Sequence, residues 1–581
     1  MAPRFITIVN PHDAPSPELV DRICSKAHLH IALAGKGFVV LITDDAPAIT
    51  FSDSSGIIIG HVFSKALPAR RLWNFTDDMA KDIRDSRGQA LIDHYWGGYV
   101  AVLDAPGEPS VEILRDPSGA MPCYYLSAPI EGVRVIASDM ETLVAAGLHV
   151  PKPNWPALHR HLVAYEFRSA ETCIDGLLEL TAGCRLSIGG VDDLSKHCWL
   201  PKTFAAKPIG GDLEDISGQI AEIGTEVIRA WQGAYQHPLL GVSGGLDSSI
   251  LAAVLAGSDA RVSYFTMATT DADGDERVYT RALATGLGID VLEWFYQLRQ
   301  VDITKPTSAH LPRPLLCAFG QSEHTQKLAL ASERNLDAFF LGVGGDNVFC
   351  NLMSASPFLD RLYIEGISLG TWQTARDICR LTGCSIFELL IAAAKKAGQG
   401  NRYRWQVETD FLLPSPAPHP PLTHPWLTKG PAVPPGKLAH IAMLTRIQGT
   451  IDGFSRFSSP PMVLPLLSQP LVEFCLSVPS WRWIESGRNR APARRAFSDK
   501  LPRAVLDRRS KGTPNSFAFD VVDKNRPIAR DQLLDGQLAQ HGLINVDQVS
   551  RVLADNVVLK GFDHMRLAML LEAEAWSRRY G

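Results

Sequence analysis

The sequence lacks any apolar run long enough to cross a bilayer. Its longest apolar stretches, such as 56–60 and 389–394, are far shorter than the ~18 to 20 residues of a membrane span. The first residues also lack the basic region and long apolar core of a secretory signal. We therefore expect no membrane partner and a cytoplasmic location.

An excess of positive charge is also missing. The chain has 57 Lys and Arg against 62 Asp and Glu, a formal net charge of −5, and no sustained basic block. Proteins that bind the phosphate backbone usually present a basic face. Nucleic acid is therefore not expected as a partner.

The cysteines show no pattern of a metal site or a disulfide framework. Ten of them are scattered between Cys24 and Cys475, with no CxxC pair and no clustering with His at zinc-ligand spacing. Isolated, reduced and mostly buried thiols are expected. With 46% apolar residues and 581 positions, the chain has a globular composition and the length for two to four domains at roughly 150 residues each.

The two parts of the chain, 1–205 and 206–581, differ in texture. The first carries short β-like runs separated by Gly, Pro and Asp, which predicts a sheet-rich α+β domain. In the second, short apolar strands alternate with helical periods, which predicts a doubly wound parallel sheet with a helical extension after residue 355. The strands predicted for this sheet are 238–242, 261–267, 289–294 and 338–343.

The segment 414–435 interrupts the second part with nine prolines, too many for a helix or a central strand. It is predicted to be an extended loop. Two interpretations remain open, a solvated linker and a flap that lines a substrate groove.

The strongest local signal is the run Gly241-Val242-Ser243-Gly244-Gly245-Leu246-Asp247-Ser248-Ser249, between a predicted strand and the apolar helix 250–256. Glycines allow close backbone approach to an anion, hydroxyls and loop amides donate hydrogen bonds, and a helix N-terminus adds partial positive charge. The run lacks the spacing of a Walker loop. Phosphate binding is assigned to Gly241, Val242, Ser243, Gly244, Gly245, Asp247, Ser248 and Ser249.

A carboxylate among phosphate donors implies a cation. Mg²⁺ usually takes one or two protein carboxylates together with phosphate oxygens and water, so Asp247 predicts a magnesium site. The second carboxylate is assigned to Asp346 in Leu341-Gly342-Val343-Gly344-Gly345-Asp346-Asn347, at the edge where open α/β sheets bind ligands. Gly342, Gly344 and Gly345 are assigned to the nucleotide site with it.

Cleavage of ATP between its α and β phosphates builds negative charge on pyrophosphate, which an ammonium group would stabilise. Lys511 is the candidate, in the basic end of the predicted short helix 501–512. The alternative is a solvated basic helix end that complements its own dipole.

These motifs carry a resemblance over nearly the whole chain. S-G-G-x-D-S-S resembles the loop of enzymes that split ATP into AMP and pyrophosphate, and Arg115-Asp116-Pro117-Ser118-Gly119-Ala120-Met121-Pro122-Cys123-Tyr124-Tyr125 resembles the R-D-x-x-G-x-x-P-L-Y-Y run of glutamine-dependent asparagine synthetases. Residues 137–143, 275–276 and 501–511 match too. Among these enzymes, the chain is most similar to the lasso peptide macrolactam synthetases.

The resemblance implies a glutaminase-like domain over 1–205, a four-layer sandwich of the N-terminal-nucleophile type, and an ATP-pyrophosphatase domain over 206–581. It implies ATP and Mg²⁺ as cofactors, Asp247 and Asp346 as the magnesium ligands and Lys511 as the catalytic lysine. The strand around Met267 would read adenine through backbone groups.

Departures from the family indicate which reaction is retained. Ala2 stands where the amidotransferases have their nucleophilic cysteine, so glutamine hydrolysis is not expected. Val343 replaces the Glu of asparagine synthetases and the Tyr of β-lactam-forming relatives, and 461–468 departs from the family's E-x-R-x-P-F-L-D. Without an ammonia supply, the attacking amine must come with the substrate.

The expected function is macrolactam formation in a precursor peptide: an Asp or Glu side chain is adenylated, and the peptide's own α-amine displaces AMP. A leader peptidase and a leader-peptide-binding protein are the other expected partners. Three alternatives stay open: a β-lactam-type or ammonia-dependent synthetase acting on a small amino acid, a decayed scaffold, and an enzyme that thiolates or amidates transfer RNA.

Overall fold

The computed structural model describes residues 2–107, 109–189, 193–258, 260–271, 274–315, 320–400, 402–415, 420–509, 512, 514–554 and 557–581. None of the helices in these ranges is both long and apolar enough to span a membrane.

Two antiparallel sheets form the first part of the chain. Their strands are β1 (Phe5–Val9), β2 (His30–Gly35), β3 (Phe38–Ile42), β4 (Ala48–Thr50), β5 (Gly56–Ser64), β6 (Tyr95–Asp104), β7 (Val111–Arg115), β8 (Tyr124–Leu126), β9 (Arg134–Ala137), β10 (Leu177–Glu179), β11 (Cys184–Ile188) and β12 (Leu194–His197). One sheet has the order β10-β8-β9-β1-β3-β2 and the other β12-β11-β7-β6-β5-β4.

The two sheets stack face to face, and helices cover both outer faces. The helices are α1 (Pro17–Ala27), α2 (Asp77–Asp85), α3 (Gln89–His94), α4 (Met140–Ala145), α5 (Trp155–Val163) and α6 (Pro201–Ala205). Successive side chains of a strand point to opposite faces, so Ile57 and Ile59 enter the core between the sheets while Ile58 packs towards α2 and α3. Helices α1, α4 and α5 cover the other sheet. The predicted four-layer sandwich is confirmed.

A five-stranded parallel sheet forms the centre of the second part. Its strands are β13 (Pro238–Gly241), β14 (Ser263–Ala268), β15 (Val291–Phe295), β16 (Ala338–Phe340) and β17 (Met462–Val463). The order is β15-β14-β13-β16-β17 with every pair parallel. The prediction of a doubly wound parallel sheet is confirmed, with one strand more than the four that the sequence predicted.

Helices cover both faces of this sheet, among them α7 (Leu213–Gln232), α8 (Leu246–Ala256), α9 (Arg277–Leu287), α10 (Gly320–Arg334) and α11 (Gly345–Val348). Leu240 packs with α8 on one face, and its neighbour Leu239 packs with α10 on the other. The strand order reverses between β13 and β16, where sheets of this type open a ligand crevice at the carboxyl edge.

The chain after residue 355 is mostly helical, as predicted. Its helices are α12 (Ser356–Glu365), α13 (Leu369–Thr382), α14 (Ile386–Gly398), α15 (Pro425–Thr428), α16 (Pro435–Ile447), α17 (Gln469–Ser477), α18 (Ala491–Ala496), α19 (Arg503–Leu506), α20 (Asn515–Lys524), α21 (Arg526–Leu534), α22 (Gln537–Gln540), α23 (Val546–Val552) and α24 (Gly561–Tyr580). A hairpin of β18 (Ile484–Glu485) and β19 (Arg488–Asn489) precedes α18.

The described part of the proline-rich segment, 414–415 and 420–435, is mostly loop, as predicted, and much of it is exposed. It contains α15, and Trp426 is buried with its ring centroid 5.3 Å from that of Trp199. None of its described residues lines the crevice at the carboxyl edge. Trp426 therefore anchors this segment against the first part of the chain.

A buried group of ion pairs joins the two parts of the chain. The Glu179 carboxylate lies 2.7 Å from Arg115, 2.6 Å from Arg168 and 2.9 Å from Arg313, and Arg168 also reaches Asp452 at 2.8 Å. All five side chains are at most 6% exposed. The arginine of the R-D run is therefore a structural residue that helps to hold the second part against the sandwich.

Candidate functional site

The run after β13 folds into the loop that its sequence predicts. Gly244 has a φ of +63°, and a Cβ there would lie 2.5 Å from the Cβ of Tyr279, so only glycine fits. Helix α8 begins at Leu246, and the Ser243 amide donates to Ser248 Oγ at 3.1 Å. The first amides of a helix have no partner within it, so this loop and helix end present donors to an anion.

The run after β16 packs directly on this loop. A Cβ at Gly342 would lie 2.5 Å from the Ser248 nitrogen, and one at Gly345 would lie 2.3 Å from Asp247 Cγ. The glycines thus let the two loops touch. Asp247 and Asp346, from different strand ends, are brought to the same point.

Arg490 lies between the two aspartates and contacts both. Its Nη1 donates to Asp247 Oδ1 at 3.1 Å and to Asp346 Oδ1 at 2.5 Å. The arginine follows the β18–β19 hairpin with a φ of +53° and is only 13% exposed. One cation therefore contacts both predicted magnesium ligands.

The two loops line a cleft of about 570 Å³ at the carboxyl edge of the parallel sheet. Of the predicted site residues, the cleft is lined by Gly241, Val242, Ser243, Gly245, Asp247, Ser248, Met267, Gly342 and Asp346. Gly244, Ser249, Gly344 and Gly345 lie behind this surface, where they shape the loops. Phe265 and Met267 form an apolar wall of the cleft beside the start of the phosphate loop, a surface suited to a base.

Lys511 lies outside the described residues, as do Ser510 and Thr513. The residues on either side of it are held by Glu276, which caps α9. Arg508 pairs with the Glu276 carboxylate, and the Gly512 amide donates to the same oxygen at 2.9 Å. Arg508 also donates to the Ser243 carbonyl at 3.2 Å. Arg508 and Gly512, which flank Lys511 in the sequence, are therefore both held by Glu276, and Arg508 also contacts the phosphate loop.

A second arginine supports this segment from α18. Arg494 donates to the carbonyls of Asn489, Leu506 and Arg508. Burial lowers the pKa of Arg494 to about 10, and repulsion by Arg490 adds to the shift. The cleft is thus rich in guanidinium groups, as a site for a polyanion would be.

The residues present fit a magnesium ion that arrives with a nucleotide. Two carboxylates share one guanidinium nitrogen, so both lie within reach of one cation. Within the described ranges, no group of three or more His, Cys, Asp or Glu could hold a metal alone. Phosphate oxygens and water would have to complete the coordination, which is the usual arrangement for Mg²⁺.

Sequence reasoning missed Arg490 and Arg494. The signal that could have found them is the concentration of four arginines within 488–495. The two aspartates that Arg490 contacts lie more than a hundred residues away in the sequence, and spacing carries no information about such pairs.

Comparisons with known proteins identify the second part of the chain. A family model described as asparagine synthase matches residues 240–578. No curated protein matches the chain. A glutamine phosphoribosylpyrophosphate amidotransferase from B. subtilis, complexed with ADP and GMP, is 10% identical with a TM-score of 0.23, over 58% of this chain and 90% of that chain.

A second solved structure, described as the allosteric regulatory enzyme of purine biosynthesis, is 11% identical with a TM-score of 0.22, over 58% of this chain and 89% of that chain. Scores this low establish neither fold nor function. The family match spans more than half of the chain and includes both loops, both aspartates and the run around Lys511. The chain belongs to the asparagine synthase family and is an ATP-dependent amide ligase.

Proposed function

We propose that this ligase closes a macrolactam ring in a lasso-type precursor peptide. An Asp or Glu side chain of the peptide is adenylated by ATP, and the peptide's N-terminal amine then forms the amide bond. The observation that carries the proposal is that Ala2, at the position of the missing nucleophile, is buried beneath residues 456–459. The enzyme is therefore left without ammonia of its own.

Residues 2–4 are covered by a segment of the second part of the chain. Ala2 is buried, and its amide donates to the Ser459 carbonyl at 3.1 Å. Arg456 donates to the Pro3 carbonyl at 2.9 Å, and the Arg4 guanidinium lies 3.8 Å from the centre of the Phe457 ring. A methyl group cannot attack glutamine, and the 456–459 segment lies against residues 2–4. These contacts support an inert sandwich that serves as scaffold.

The variant Ala2→Cys is expected to release no glutamate from glutamine. The new thiol would be buried beneath Arg456 and Ser459, where burial keeps a thiol protonated and excludes the substrate. Glutamate release is measured with purified protein, with and without ATP. Rapid hydrolysis by the variant would mean that the glutaminase pocket is open and that only its nucleophile was lost.

The nucleotide cleft supports an acyl substrate that is neither aspartate nor another small polar acid. Beyond the two aspartates its wall carries Val343 and Met353, which are 39% and 65% exposed. Exposed apolar side chains beside the reacting centre favour a substrate with apolar neighbours, such as a peptide.

The proposed chemistry has two displacements. A carboxylate oxygen of the peptide attacks the α-phosphorus, pyrophosphate leaves, and Lys511 together with the Ser243–Ser248 loop stabilises its charge. The α-amine then attacks the acyl carbon, loses a proton and expels AMP, which keeps the carboxylate oxygen. A terminal amine has a pKa of about 7.7 to 8, so a substantial fraction is neutral near pH 7.5.

Holding both reacting ends of one peptide in the cleft lowers the entropic barrier to ring closure. Well-oriented intramolecular reactions gain on the order of 7 kcal/mol or more from this effect. We propose two partners that prepare the substrate, a leader peptidase that frees the amine and a protein that binds the leader peptide.

The proposal is tested with purified protein, ATP, Mg²⁺ and a linear peptide that has a free N-terminus and an internal Asp or Glu. The expected product is the peptide less one water, formed with equal amounts of AMP and pyrophosphate. A peptide acetylated at its N-terminus is the matched control and should not cyclise. Amide formation with free aspartate and ammonia instead would favour a synthetase acting on small amino acids, and formation of ADP would exclude the adenylate.

A further inference from the structure

The bridge from Arg490 to both aspartates has a consequence for the order in which metal and nucleotide bind. Asp247 and Asp346 converge although both are acidic, and two nearby carboxylates repel each other unless a cation lies between them. Arg490 supplies that cation through hydrogen bonds of 3.1 and 2.5 Å. It therefore bridges the two loops that carry these aspartates.

We propose that Arg490 occupies the position of the Mg²⁺ ion in the nucleotide-free enzyme and yields it only when ATP is bound, so that metal binding depends on nucleotide. This inference rests on the nucleotide site of the proposed function and is independent of the acyl substrate.

Charge explains why metal alone would displace Arg490 poorly. Mg²⁺ would gain two carboxylates but would release a guanidinium into a cleft that already holds Arg494, Arg508 and Arg509. The other carboxylates among the described residues that line the cleft already have cationic partners: Glu276 is engaged with Arg508 and Gly512, and Glu323 pairs with Lys327. ATP brings several negative charges, so both the ion and the released guanidinium find partners once it is bound.

The Arg490 side chain contacts both aspartates through its terminal Nη1 atom. The residue lies between a two-residue hairpin strand and the first turn of α18, in the left-handed region at φ +53°. Its Nε is buried without a hydrogen bond. The side chain is thus fixed at its tip by the two carboxylates, and it is released when they take another cation.

The test uses Mn²⁺ as a probe of the carboxylate pair, with free ion measured by electron paramagnetic resonance and no nucleotide present. Arg490→Gln is expected to bind Mn²⁺ about tenfold more tightly than the wild type, because the competing charge-assisted hydrogen bonds are lost. With ATP present, this advantage should shrink, because the nucleotide already displaces Arg490 in the wild type.

Arg488→Gln is the matched control, since it removes the same charge from the same hairpin but from a side chain that pairs with Asp507 and is 46% exposed. It should bind Mn²⁺ as the wild type does. The double variant Asp346→Asn, Arg490→Gln should lose the increase in Mn²⁺ affinity. That loss would show that the increase arises at the carboxylate pair. Arg490→Lys should give an intermediate increase in Mn²⁺ affinity, because its single ammonium cannot form the same bridge as a guanidinium. This variant replaces Arg490→Gln if the latter does not fold.

The inference is overturned if Arg490→Gln and Arg490→Lys bind Mn²⁺ no more tightly than the wild type, or if Arg488→Gln shows the same gain. Tight Mn²⁺ binding by the wild type without nucleotide would overturn it too. None of these results depends on a peptide, so they are distinct from a failure of the cyclisation assay.

Discussion

Asp346→Asn is expected to lower the rate of peptide-dependent AMP formation by about 10²- to 10³-fold, the usual loss when one electrostatic contact to a reacting centre is removed. The amide keeps the shape of the side chain but loses the charge that, with Asp247, would hold Mg²⁺ against the phosphates. Raising the Mg²⁺ concentration should restore part of the rate, because the change weakens metal binding first. Steady-state release of AMP and pyrophosphate measures the effect.

Asp337→Asn is the control for this variant. Asp337 precedes the same strand, β16, at its opposite edge, where it accepts hydrogen bonds from the Gln236 and His237 amides. Its variant changes the same charge outside the cleft and should keep the wild-type rate. An Asp346→Asn enzyme as active as this control would contradict the magnesium assignment.

Glu179→Gln is expected to reduce the free energy of unfolding by about 3 to 5 kcal/mol, the loss typical of breaking a buried ion pair. The variant leaves Arg115, Arg168 and Arg313 buried without the carboxylate on which they converge. Chemical denaturation followed by tryptophan fluorescence measures the change.

The contribution of Glu179 to the free energy of unfolding depends on pH. Burial by itself would raise the pKa of Glu179, but Arg168, Arg313 and Arg115 outweigh it and hold the pKa well below its usual value. The stabilisation is therefore complete above the unfolded pKa, near 4.5, and is lost as the pH falls towards the folded one. The difference in free energy of unfolding between the wild type and Glu179→Gln should therefore shrink as the pH falls.

Glu131→Gln is the matched surface control. Glu131 pairs with Arg22 at 2.5 Å but is 53% exposed, so its loss should change stability by less than about 1 kcal/mol. Equal effects of the two variants would mean that the buried group contributes no more than a surface pair.

The architecture could be predicted from the sequence wherever a buried strand is a run of consecutive apolar residues. Strands β1 and β3 are short apolar runs between turn residues, the pattern from which a sheet-rich first domain is predicted. Strand β17 was missed, since two residues between Pro461 and Pro465 carry no periodic signal. It exists because Phe339 and Leu341 donate backbone hydrogen bonds to Pro461 and Val463, a tertiary effect.

In the candidate site too, residues within local motifs could be predicted, whereas residues placed by tertiary contacts could not. The phosphate loop and Asp346 could be predicted because each stands in a glycine-rich run after a strand. Arg490 could not be placed, since it reaches Asp247 from 243 residues away. The 461–468 stretch was interpreted only as a changed substrate motif, whereas its backbone also completes the sheet.

An oxygen-18 label in the acceptor carboxylate of a linear peptide tests the central claim most directly. If the carboxylate is adenylated before the peptide's amine attacks, each ring closed should leave one labelled oxygen in AMP and none in pyrophosphate. Label in inorganic phosphate with formation of ADP, or nitrogen from glutamine in the product, would contradict the account.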